Sequence, residues 1–140
     1  MTGYPALTGE TIANLQAAAR QAAENAYAPY SGFRVGAALL FDDGYIATGC
    51  NVENVSYGLT ICAERNALFG AVAQRGPEHK IVAIAVTNLN DAASPPCGAC
   101  RQVLAEFAAP DAVISFPSEN GLEQRPFSEI FPFAFHLDPK

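Results

Sequence analysis

Ile81-Val82-Ala83-Ile84-Ala85-Val86-Thr87 leads through Pro95-Pro96-Cys97-Gly98-Ala99-Cys100 to Ala112-Val113-Ile114-Ser115-Phe116. The first run is apolar nearly throughout and reads as a buried strand. A loop holding Pro95-Pro96 precedes a helix over about 97–107, and residues 112–116 form the next strand. Upstream, a polar loop over 51–58 leads to a helix from about Cys62 to Ala73, closed by Gly76-Pro77. Further upstream, Val35–Phe41 and Tyr45–Cys50 flank Asp42-Asp43-Gly44, which predicts a hairpin. Thr8 is an N-cap candidate for a helix whose narrow apolar face is Ile12, Leu15, Ala19, Ala22 and Ala26. Downstream, Glu119-Asn120-Gly121 turns the chain toward a short strand near Gln124–Phe127, and a short aromatic tail follows from Ser128. The order α-β-β-α-β-α-β-β predicts an α/β fold with one domain over residues 1–140. It is a three-layer sandwich, with a mixed five-stranded sheet carrying helices on both faces.

Composition narrows the function. Half of the 140 residues are hydrophobic and 16% are charged, which suits one sizeable core and excludes a disordered chain. A net charge of −6 argues against a nucleic-acid partner and against attraction to an anionic membrane. No stretch approaches the ~18 consecutive apolar residues of a membrane span. Met1 to Glu10 shows no basic flank followed by an apolar run, so no signal peptide is expected and the chain reads as cytoplasmic.

The cysteines carry the chemistry. Without a signal peptide, Cys50, Cys62, Cys97 and Cys100 point to metal binding or catalysis rather than to disulfides. A Cys-x-x-Cys at a helix start aims two sulfurs at one point, where the positive end of the helix dipole favours thiolates. Cys62-Ala63-Glu64 opens another helix. Three thiolates suit Zn²⁺ and leave its fourth position open, the mark of a catalytic site. A carboxylate two residues from a ligand can move protons to and from an activated water. Other readings stand beside this one. A thioredoxin-like Cys-x-x-Cys leaves Cys62-Ala63-Glu64 idle, and a closed structural site recruits Cys50 as a fourth ligand. Cys50 also fits a small buried hydrophobe, and Glu64 by itself an ordinary first-turn acid.

Cys-x-Glu followed by Pro-Cys-x-x-Cys, both at helix starts, matches the signature of zinc deaminases, in which the Glu is not a ligand. Cys62-Ala63-Glu64-Arg65 with Pro96-Cys97-Gly98-Ala99-Cys100-Arg101-Gln102 resembles the homotetrameric zinc-dependent cytidine deaminases. The resemblance extends to residues 26–33, 35–39, 49–54 and 130–135, and covers about residues 12–135. It implies Cys62, Cys97 and Cys100 as Zn²⁺ ligands and Glu64 as the catalytic proton shuttle. It also implies that Asn51 and Glu53 bond the ribose 3′-hydroxyl, that Phe33 lines the pyrimidine pocket, and that the Ala63 N–H holds the ring carbonyl. Tyr57 would contact the sugar from a neighbouring subunit, and Phe135 would cover the pyrimidine ring in a neighbour's pocket. Arg65 would bond the ligand sulfurs and draw charge from them.

Taken without the resemblance, Asn51 and Glu53 read as a solvated loop, Phe33 as core and Arg65 as a surface ion-pair partner. Two departures stand out: Pro95-Pro96 where the family usually has Ser-Pro, and Phe131 where leucine is usual. The implied activity is hydrolytic deamination of cytidine and deoxycytidine to uridine and deoxyuridine with release of ammonia, in pyrimidine salvage, by a homotetramer with shared active sites. The rivals are a deaminase of another small nucleoside-like substrate and a non-catalytic zinc-binding domain.

Overall fold

Thr8 caps the first helix as its position predicts: its Oγ1 accepts the Thr11 amide at 3.1 Å, and α1 runs Gly9–Ala23. The computed structural model describes residues 7–139, so the expectation drawn from Met1 to Glu10 falls largely on residues outside the described ones. The remaining elements are β1 (Val35–Phe41), β2 (Ile46–Cys50), α2 (Ala63–Arg75), β3 (Ile81–Asn88), α3 (Gly98–Ala105), β4 (Ala108–Ser118), β5 (Gly121–Pro126) and α4 (Phe127–Ile130). A 3₁₀ turn, Tyr57–Leu59, lies in the loop before α2. No helix among the described residues is long and apolar enough to cross a membrane.

The strands form one mixed sheet in the order β2-β1-β3-β4-β5, parallel between β3 and β4 and antiparallel elsewhere. Its central strand β3 is buried along nearly its whole length, which accounts for the unbroken apolar run. On one face, Ile12, Leu15 and Ala19 of α1 pack against Ala38, Leu40, Val82 and Ala85. On the other, Ala67 and Leu68 of α2 and Leu104 of α3 pack against Leu39, Ile84, Val86 and Ile114. These two cores give the three layers.

Two glycines set how closely the helices lie on the sheet. A Cβ on Gly36 would stand 1.8 Å from the Ala19 carbonyl oxygen and 2.7 Å from the Ala23 nitrogen, so the backbone of α1 rests directly on β1. A Cβ on Gly49 would lie 2.5 Å from the Ala67 nitrogen and 2.7 Å from the Ala63 oxygen, so the first turn of α2 rests on β2 in the same way. The hairpin turn is fastened to its surroundings by the Arg75–Asp43 ion pair and by His79 Nδ1 and Asp42 Oδ1 at 2.9 Å.

Four expectations shift. β5 begins at Gly121 rather than near Gln124, because it pairs with β4 directly from the turn at Ser118 and Gly121, and it ends at Pro126. Ala23 rather than Ala22 completes the buried face of α1, and residue 26 lies beyond the helix, because contact with β1 at Gly36 rotates the helix toward Ala19 and Ala23. β4 begins at Ala108, four residues early, because Ala108 pairs with Ile81 before a register shift resumes the ladder at Val113. The aromatic tail divides: Phe127 starts α4 and is buried, with the Phe131 ring 6.4 Å from its own, whereas Phe133 and Phe135 are exposed. Gly36→Ala must push α1 off β1, and overpacking against backbone sits at or above the ~3 kcal/mol end of such costs. Urea unfolding should show that loss, and a loss under about 1 kcal/mol would mean the helix yields freely.

Candidate active site

Cys62 is the N-cap of α2 and Cys97 the N-cap of α3, where its Sγ accepts the Cys100 amide at 3.4 Å. Cys100, one turn into α3, is fully buried. The three Sγ atoms lie within 4.8 Å of one another, and Cys62 and Cys97 are 3.9 Å apart. Tetrahedral ligation with Zn–S of about 2.3 Å sets sulfurs about 3.8 Å apart, so this donor set fits one zinc ion. All four cysteines are free thiols. Cys50 is not in the group; burial pushes its thiol up, and its carbonyl accepts from Asn66 Nδ2 at 2.9 Å.

Charge is distributed unevenly over the sulfurs. A hydrogen bond from the Cys100 thiol is the main reason that the Cys62 pKa falls to about 5 against the opposing effect of burial. Arg65 Nη2, donating to Cys62 Sγ at 3.3 Å, lowers it further. The same bond to Cys62, together with burial, pushes the Cys100 thiol up, and Cys62 raises Arg65 in turn. Glu64 sits in the first turn of α2 and is 4% exposed. Burial raises its carboxyl to about 7, and the neighbouring Cys62 charge adds to that.

These groups open onto a cavity of about 370 Å³, within the ~300–1,000 Å³ range of small-molecule sites. Phe33, Asn51, Glu53, Tyr57, Cys62, Ala63, Glu64 and Cys97 line it, which gathers most of the residues singled out in the sequence. Tyr57, matched by the resemblance to a neighbour's contact, lies on the wall of its own chain's cavity. Arg65 stays behind the sulfurs, and Phe135 lies away from the cavity, 70% exposed.

Asn51 and Glu53 also hold the wall together. Asn51 Oδ1 accepts the Val35 amide at 2.9 Å, and its Nδ2 donates to the Phe33 carbonyl at 2.8 Å. Glu53 accepts the Tyr30 and Ser31 amides at 2.9 and 3.2 Å and the Ser31 hydroxyl. The Ser31 hydroxyl is the largest influence holding the Glu53 carboxyl below its ordinary range, and the two amides act the same way against burial. Both side chains therefore fix the loop that carries Phe33, a role the reading as a solvated loop did not contain.

Further lining residues were not among the site residues expected from the sequence, although Pro95 and Ser31 lie in stretches it singled out. Ser31, Thr60, Val86, Ser94 and Pro95 reach the cavity, and the buried Thr60 Oγ1 has no hydrogen-bond partner among the described residues. Buried Asn88 shapes the loop before Cys97: its Nδ2 donates to the Ala92 carbonyl and to Ser94 Oγ, and its Oδ1 accepts the Asn90 and Ala92 amides.

The sequence profile of the cytidine and deoxycytidylate deaminase zinc-binding region matches residues 10–116, which include both cysteine half-motifs. The chain belongs to this deaminase family. A cytidine deaminase of Halalkalibacterium halodurans is 49% identical over 116 residues, covering 82% of this chain and 86% of that protein. The 1.6 Å crystal structure of cytidine deaminase from Burkholderia pseudomallei superposes with a TM-score of 0.80 at 43% identity, over 92% of this chain and all of that one. The cytidine deaminase of Mycobacterium tuberculosis gives a TM-score of 0.78 at 42% identity, over 89% and 97% of the two chains. The family is zinc-binding, in keeping with the three-sulfur group. Metal analysis should find one zinc per chain in the protein and in Cys50→Ser, and a large loss in Cys97→Ser. Zinc lost from Cys50→Ser would restore the four-cysteine site.

Proposed function

We propose that the protein deaminates cytidine and deoxycytidine hydrolytically, giving uridine or deoxyuridine and ammonia, with zinc held by Cys62, Cys97 and Cys100. The observation that carries this reading is the buried Glu64 carboxyl in the cavity wall beside the three-sulfur group. Cytidine deaminases among the relatives support the substrate class. Zinc, when bound, supplies Lewis-acid activation of water.

The chain's own residues supply the rest. Glu64 takes a proton from the attacking water and passes it to ring N3, which makes C4 electrophilic. It then carries a proton to the departing amine, so the sum is cytidine plus water to uridine plus ammonia. Burial favours the protonated form of this carboxyl, which helps it hold the proton taken from water until the substrate accepts it. Arg65 withdraws charge from Cys62 through its hydrogen bond, offsetting the excess negative charge of three thiolates around one divalent cation. The Ala63 N–H holds the ring carbonyl, Phe33 flanks the base, and Asn51 and Glu53 present their remaining acceptor and donor capacity to the ribose 3′-hydroxyl. Tyr57 lies on the sugar side.

Glu64→Gln should retain zinc and fold, because the amide preserves shape, and lose turnover by at least the ~10²–10⁴-fold of a general acid–base role. The assay is ammonia and uridine release from cytidine. Activity within a few-fold of the parent protein would remove Glu64 from the relay.

The working form in this proposal is a cytoplasmic homotetramer in which Phe135 of one subunit covers the base in another. Phe133, Phe135 and Leu137 are all exposed on the tail, and contiguous apolar exposure of this kind marks interfaces. Mixing Glu64→Gln with Phe135→Ala should restore some activity, since one subunit contributes Glu64 and its neighbour Phe135. A monomeric solution mass would end this part of the proposal.

A further inference from the structure

Arg101 directly follows Cys100 in α3 and takes no part in the proton relay. Its half-buried guanidinium forks between two carbonyls, with Nε donating to Pro96 at 2.8 Å and Nη1 to Ile130 at 2.6 Å. The Pro96 carbonyl belongs to the peptide that enters Cys97. The Ile130 carbonyl belongs to the last residue of α4, where helix carbonyls lack intrahelical partners. Among the described residues, Arg101 is in no ion pair with a carboxylate. Its charge is thus directed at backbone.

The loop it grips has unusual needs. Pro95-Pro96 has no amide hydrogens, so this dipeptide can be hydrogen-bonded only through its carbonyls. Neighbouring Gln102 holds the middle of the tail, its Nε2 donating to the Phe135 carbonyl at 3.2 Å. One short helix therefore carries two of the zinc-ligand sulfurs at its start and both ties to the C-terminal tail along its flank.

We propose that Arg101 is a positioning residue that couples the Cys97 loop to the C-terminal tail, so that bound zinc orders the tail and an ordered tail helps retain zinc. The coupling rests on Cys97 being a zinc ligand. It is reciprocal by thermodynamic linkage, since one set of contacts serves both ends. A planar guanidinium can serve two separated acceptors at once, whereas a lysine ammonium is a compact point charge without that fork.

The test uses the full-length zinc protein, with zinc release to excess chelator and hydrogen exchange over residues 131–139 as readouts. Arg101→Lys should keep the parent circular dichroism, release zinc about tenfold faster, in the range for lost outer partners of metal ligands, and exchange faster in the tail. In the parent protein, removing zinc should speed tail exchange, and in Arg101→Lys that dependence should vanish. Gln102→Ala frees the Phe135 carbonyl and leaves the Pro96 contact in place, so it should loosen the tail and speed zinc release by a smaller factor than Arg101→Lys. Unchanged zinc release from a loosened tail overturns the reciprocity. Tail exchange indifferent to zinc in the parent protein overturns the coupling, and decides the matter even if Arg101→Lys fails to fold. Zinc lost from Cys97→Ser but released normally by Arg101→Lys overturns the coupling alone. Zinc retained by Cys97→Ser overturns the ligand assignment and the coupling with it.

Discussion

Two helices begin at the same place, and the site follows from that meeting. Cys62 caps α2 and Cys97 caps α3, with their sulfurs 3.9 Å apart. Bringing thiolates together is electrostatically costly, and three features offset the cost. Each helix start presents the positive end of its dipole. Arg65 donates to Cys62, and a divalent cation fits among the three sulfurs. The convergence depends in turn on how closely the helices lie on the sheet. Gly49 lets the first turn of α2 rest on β2, and α3 follows β3 as the crossover to the parallel strand β4. A side chain at position 49 would move Ala63 and with it the mouth of the cavity.

Burial then gives two neighbours opposite behaviour. Cys62 is drawn toward its thiolate by donors from Cys100 and Arg65, whereas Glu64, two residues later, is pushed toward its acid by loss of water. One turn of helix thus presents a thiolate suited to a metal and a buried carboxyl that favours its acid form side by side. The opposite wall is polar but equally fixed: Asn51 and Glu53 spend much of their hydrogen-bonding capacity on the backbone of residues 30–35, which sets Phe33 in place. The side chains proposed to meet the sugar are thus the ones that hold the loop architecture.

Much of this was legible in the sequence, because the signals were local. The Thr8 cap, the Asp42-Asp43-Gly44 turn and the apolar run at 81–87 each follow from the conformational preference or burial of a few adjacent residues. Cys62-Ala63-Glu64 and Cys97-Gly98-Ala99-Cys100 were equally plain, since metal chemistry restricts residue type and spacing within a single helical turn.

Long-range contacts were a different matter. Nothing near Glu53 announces a bond to Ser31, 22 residues away, and nothing near Arg101 announces the Ile130 carbonyl, 29 residues on. Nor could composition show that Phe127 and Phe131 would pack together while Phe133 and Phe135 stayed outside. The sequence by itself determined the order of the elements from α1 to β5, though not the short α4, and singled out the three cysteines that the fold gathers, because these depend on neighbours in the chain. The tertiary structure alone decided which face of α1 is buried, what the loop carboxylate and Arg101 hold, and where the tail leaves the core. Those outcomes depend on which backbones can approach one another, a property of the folded sheet and helices that no single segment carries.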